Sequence, residues 1–146
     1  MKKLLAMMLA GAASVSAGAA HWVDLGKSAE EDIQTFIDIE SARKYYDEPF
    51  FSSESYSSAF IRYDYLKGHR LKPLGGSYSY NFYIVDCDKI SLFSPSTVIY
   101  GSKNEVLMNS NEKHFTSRSL TKAYPDTVGE RIVRNICAYS MINDLI

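Results

Sequence analysis

The sequence has little of what catalysis or nucleic-acid binding calls for. No G-x-S-x-G or comparable setting surrounds its serines, and His21, His69 and His114 share no metal-ligand spacing. The histidines read as solvated surface residues. Charge excess is also missing: 16 basic residues face 17 acidic ones, for a net charge of −1. This excludes the basic surface that would neutralise phosphates or dock on anionic lipid, so nucleic acid is not an expected partner. Tryptophan occurs once and cysteine twice. No catalytic residues, metal site or cofactor are predicted, and the chain is read as a non-enzyme.

The chain does begin with a leader pattern. Lys2 and Lys3 precede an apolar stretch from Leu4 to Ala13, and small residues with an A-x-A at Ala17 and Ala19 follow, which is the layout of a signal peptide over residues 1–20. The apolar run is too short to cross a bilayer, so no integral membrane segment is expected after signal removal. No cysteine follows the run, so a lipidated N-terminal cysteine is not expected and the protein is read as exported but not a lipoprotein. Cleavage after Gly18 would leave His21 third in the mature chain, where amine, backbone and imidazole nitrogens can chelate Cu(II) in a plane. Residues 21–146 are the right length for one core and one domain.

Export changes the reading of Cys87 and Cys137. In an oxidising compartment such a pair points to a structural disulfide ahead of a metal pair or a nucleophile, with two buried thiols as the alternative.

The strongest local pattern is Ser77 to Cys87, SYSYNFYIVDC, which alternates with period two and predicts a central strand. Tyr78, Tyr80, Phe82 and Ile84 project to one side, and Asn81, Tyr83, Val85 and Cys87 to the other. Shorter patterns predict strands at 21–26, 35–41 and 59–65, the last with Ala59, Ile61, Tyr63 and Tyr65 opposite Phe60, Arg62 and Asp64. Residues 28–34 read as a polar connector and 42–58 as a long serine-rich loop. A further strand from 90 to 100 should be disturbed near Pro95, which lacks an N–H and favours an edge or a bulge. Gly101 to Asn104 then reads as a hairpin turn before a return strand at 105–109. Residues 111–124 give no clear assignment. Thr127 with Glu130 has capping-box spacing. It opens a helix whose stripe is Val128, Ile132, Val133, Ile136, Cys137 and Ser140, with Arg131 and Arg134 turned away. The fold class is therefore α+β: an antiparallel sheet with a C-terminal helix packed on one face and one disulfide.

Taken in order, WVDL (22–25), FIDIES (36–41), VDC (85–87), Tyr100-Gly101 and Pro125-Asp126-Thr127 with Glu130 leading to Ile136-Cys137 resemble the surface-adhesin protein E family of Gram-negative bacteria. The resemblance implies the same fold, a Cys87–Cys137 disulfide, and a cell-surface role binding host matrix or serum proteins. It implies no enzyme. The missing lipidation cysteine leaves a soluble periplasmic or secreted location beside surface display. The alternative function is a periplasmic envelope or stress protein with a structural, small-ligand or metal-capture role.

Binding chemistry is best represented by aromatics, with eleven tyrosines in the chain. Tyr63, Tyr65, Tyr78 and Tyr80, with Tyr45 and Tyr46, are the candidate binding surface, because tyrosine is favoured at the centres of protein interfaces. Alternation serves a core and an exposed face equally well for Tyr63, Tyr78 and Tyr80. Phe50 and Phe51 in the serine-rich loop complete the candidate set. A protein partner is expected, and edge-strand pairing offers a route to a homodimer.

Overall fold

The computed structural model describes residues 19–28, 30–46, 56–112 and 115–146. Residues 1–18 of the leader, Phe50, Phe51 and His114 fall outside the described residues. The strands are β1 (Trp22–Ser28), β2 (Ile33–Asp38), β3 (Arg43–Lys44), β4 (Tyr56–Tyr65), β5 (Gly76–Asp86), β6 (Ser91–Gly101), β7 (Val106–Asn111) and β8 (Thr121–Lys122). One helix, α1 (Val128–Asp144), ends the chain. Among the described residues the strands form one antiparallel sheet in the order β1-β2-β4-β5-β6-β7, with β3 added to β4 and β8 to β6.

The register decides which residues share a face. Ile37 lies opposite Ile61 and Ile61 opposite Asn81, so the odd-numbered residues of β2, β4 and β5 point together. Under α1 that face carries Ile37, Ala59, Ile61 and Val85, which pack against Ile132, Val133 and Ile136 in one cluster. The predicted helix stripe is the buried one, and Ser140 at its far end bonds Ser57 of β4 at 3.0 Å. Cys87, just beyond β5, is joined to Cys137 of α1 with Cα atoms 5.9 Å apart. The disulfide therefore pins the helix to the central strand.

The helix start follows the predicted cap with one change. Thr127 Oγ1 accepts from Glu130 N at 3.3 Å, while the Glu130 carboxylate reaches back one residue further, accepting from Asp126 N at 2.8 Å. Arg134 donates twice to Glu130, at 2.8 and 2.7 Å. These bonds, Arg134 first, hold the Glu130 carboxyl below its ordinary value.

Arg131 does not turn away as its place beside the stripe suggested. Its Nη1 donates to Leu25 O at 2.8 Å. The carbonyl is offered by a bulge between Asp24 and Gly26, where Gly26 adopts φ +97° and a Cβ would sit 2.7 Å from Arg131 Nη1. A glycine is thus needed both for the backbone turn and for the approach of the guanidinium.

Other departures come from short or interrupted elements. The expected connector at 28–34 is shorter than read, because β1 runs to Ser28 and β2 begins at Ile33, leaving a turn at 30–32. The expected loop at 42–58 contains β3 and the first residues of β4. Pro95 sits inside β6, and the pairing slips there: Phe82 faces Ser96 while Ile84 faces Phe93, one extra residue on the proline strand. The missing N–H is accommodated as a bulge. Within 111–124 a 3-10 turn at Ser117–Ser119 leads into β8. No described helix is long and apolar enough to cross a membrane.

Candidate functional site

The face away from α1 is built from the even-numbered residues. Phe60, Arg62 and Asp64 of β4 stand opposite Phe82, Tyr80 and Tyr78 of β5. β2 places Phe36 beside Arg62, and β6 places Tyr100 beside Tyr78. Trp22 enters from β1. Three strand spacings, roughly 14 Å, separate β1 from β5. Yet the Trp22 and Tyr80 rings stack with centroids 5.5 Å apart. Both side chains therefore lie down across the intervening strands.

The rings form a connected set. Tyr78 stacks on Tyr100 at 4.9 Å, and Tyr80 meets both edge-on at 5.4 and 5.6 Å. Such offset and edge-to-face pairs are favoured by the ring quadrupoles. Arg62 lies over the Tyr78 ring at 4.7 Å and is held by Asp64 at 2.6 Å. Burial works against its charge, but the Asp64 carboxylate and Tyr80 together outweigh that and raise the guanidinium above its ordinary value. The Tyr78 hydroxyl donates to Asn104 Oδ1 at 3.0 Å, a residue whose φ of +61° belongs to the turn after β6. Burial, and then Tyr80, raise the Tyr78 pKa, so the phenol stays neutral.

Among the described residues no helix or strand packs over Trp22, Tyr78, Tyr80 and Tyr100. Their half-burial comes from one another, and at the rim Phe60 is 45% exposed while packed on Phe82 at 5.1 Å. The far end of the same face is closed instead. There Phe115 folds over Tyr56 and Ile84, with Tyr45 edge-on to it at 5.8 Å.

The predicted tyrosines therefore do not share one surface. Tyr78 and Tyr80 belong to the open aromatic face, Tyr45 to its closed end, and Tyr46 is exposed beyond β3. Tyr63 and Tyr65 lie on the helix side, Tyr63 packed against the cluster under α1 and Tyr65 in a smaller cluster with Ile33 and Ile99. Tyr65 is buried and stacks on His69 at 4.2 Å. The Tyr63 and Tyr83 hydroxyls share a hydrogen bond of 2.9 Å. Burial, then Tyr83, raises the Tyr63 pKa well above its ordinary value, and burial raises that of Tyr83. His69 is not a freely solvated residue: burial and the neighbouring Arg70 lower its pKa. His21 is exposed, its backbone N–H donating to Asp38 at 3.1 Å. Among the described residues no three His, Cys, Asp or Glu side chains gather as a metal site.

Sequence reading missed Trp22, Phe36, Phe60, Arg62 and Tyr100 as members of the aromatic face. The parity of each strand was visible, but the register that aligns one strand's parity with the next was not.

No protein-family model matches the chain, and no curated protein does. Among solved structures the chain is similar to crystal form II of Haemophilus influenzae protein E, with 18% identity and a TM-score of 0.48 over 73% of this chain and 82% of that one.

Proposed function

We propose that this is an exported binding protein that docks a protein partner on its open aromatic face and catalyses no reaction. One observation carries the reading: Trp22, Tyr78, Tyr80 and Tyr100 form a connected row, uncovered by any helix or strand among the described residues, with Arg62 set into it. Tyr, Trp and Arg are the residues that dominate interface centres, because they offer large, stiff contact area and a polar handle together. Here the rings are already ordered by one another, so little side-chain freedom remains to be lost on docking. The Cys87–Cys137 disulfide suits a protein working outside the cytoplasm. The sequence resemblance to protein E adhesins makes host matrix or serum proteins the first partners to test, at the cell surface or after secretion.

The test uses purified mature protein with its disulfide intact, titrated over an immobilised panel of host matrix and serum proteins. Saturable binding is expected, and Tyr80→Ser should weaken it by about thirtyfold or more, the loss typical of an interface hot spot. Absence of binding across the panel, or equal binding by Tyr80→Ser, would contradict the proposal.

A further inference from the structure

The helix side of the sheet holds a second feature that the docking face does not use. Beside the cluster under α1, the odd-numbered residues of β4, β5 and β6 line a cavity of about 740 Å³. That is within the range of small-molecule sites, roughly 300–1,000 Å³. Its roof is the tip of the β1–β2 hairpin and the loop after β4, tied together where Leu66 N donates to Asp32 O at 2.8 Å. Ile33, Tyr65, Leu71 and Ile99 give it apolar walls.

Its floor is polar and ordered. Asn81 donates to Ser79 Oγ at 3.0 Å and accepts from Thr97 Oγ1 at 2.9 Å, and Ser79 and Asn81 are both buried. Tyr63 and Tyr83 are joined by one hydrogen bond, which uses one of their two hydroxyl hydrogens. The second hydrogen has no acceptor among the described residues. The cavity therefore presents one free phenolic O–H beside a satisfied network.

Its mouth is acidic. Among the described lining residues, Glu30, Glu31 and Asp32 face one arginine, Arg70, and no lysine. Asp32 has Lys27 at 3.6 Å, whereas Glu30 and Glu31 make no ion pair among the described residues. His69, also in the lining, has its pKa lowered by burial and by Arg70, so it does not offset the carboxylates near neutral pH.

We propose that this cavity binds a small protonated amine carrying an apolar, hydroxyl-tipped body. The ammonium sits at Glu31 in the mouth, the apolar body lies between Ile33, Tyr65 and Ile99, and the terminal oxygen accepts from the Tyr63–Tyr83 pair. The site is on the opposite side of the sheet from the docking face, so either proposal can fail while the other stands.

Tyramine supplies all three parts and serves as the probe, with 4-hydroxyphenylacetate as its anionic counterpart and phenethylamine lacking the hydroxyl. Calorimetry on the full mature chain should show saturable tyramine binding, with NMR shifts gathered at Tyr63, Asn81 and Tyr83. Glu31→Gln, at an exposed position, should weaken tyramine by roughly tenfold, as should exchange for the anionic analogue. The double variant Tyr63→Phe with Tyr83→Phe, which removes both hydroxyls, should weaken tyramine several-fold and leave phenethylamine unchanged. No saturable binding, undiminished binding by Glu31→Gln, equal binding of the anionic analogue, or shifts centred on Trp22 and Tyr80 would each overturn the assignment.

Discussion

Across β4 and β5 the two faces of the sheet use the same backbone and opposite chemistry. Under α1 the strands present Ala59, Ile61 and Val85, small or branched side chains that a helix can approach closely. On the other side they present Phe60, Arg62, Tyr78 and Tyr80, rings and a guanidinium that cover one another with no second layer among the described residues. The first face gets its order from burial, the second from ring geometry and one ion pair. Burial of apolar area is the larger stabilising contribution, at about 25 cal/mol per Å². The helix side should therefore carry the stability, leaving the aromatic side free to carry recognition.

That contrast can be broken most severely at the disulfide. It ties together residues 50 apart and fixes α1 on its face. Replacing both Cys87 and Cys137 by Ser should cost about 4 kcal/mol on the chain-entropy estimate, read from denaturant unfolding. Ile136→Ala tests the same face without touching covalent chemistry. Ile136, on the inner face of α1, is fully buried, and its truncation should cost about 3 kcal/mol. Tyr80→Ser on the open face should cost clearly less than Ile136→Ala in the same assay. Equal losses would mean that the aromatic face is a second core.

A smaller effect lies within the helix side itself. Thr35 is fully buried and its hydroxyl has no hydrogen-bond partner among the described residues. Thr35→Val keeps the shape and removes the unpaired group, so it should stabilise by about 1 kcal/mol in thermal or urea unfolding. The pH dependence sharpens the comparison further. His69 has its pKa lowered in the fold, so the native state favours neutral imidazole. Its contribution is complete above the ordinary histidine value of about 6.5 and is lost as pH falls through the lowered folded value. Unfolding midpoints should decline more steeply over that window in wild type than in His69→Gln.

Much of this contrast was legible in one dimension. Alternation from Ser77 to Cys87 separated Tyr78 and Tyr80 from Tyr83 and Val85, and the stripe from Ile132 to Ser140 gave the buried helix face. The antiparallel sheet, C-terminal helix and disulfide follow as expected. Register was not legible: only the alignment of Ile61 with Asn81 shows that Tyr63 and Tyr78 point to opposite sides. Two-residue strands such as β3 and β8 are too short to show a period. Arg131 was misread because its partner is a backbone carbonyl exposed by a distant bulge, which no helical wheel contains. The cavity escaped notice because Ser79, Asn81 and Thr97 look like solvent-facing strand residues until the roof is placed over them.

The central claim is that recognition and stability sit on opposite faces. It is tested most directly by measuring Tyr80→Ser and Ile136→Ala side by side for both partner binding and unfolding free energy. Tyr80→Ser should lose binding while unfolding close to wild type, and Ile136→Ala should lose stability while its folded fraction binds normally. Binding that survives Tyr80→Ser, or a stability loss there matching that of Ile136→Ala, would contradict the account.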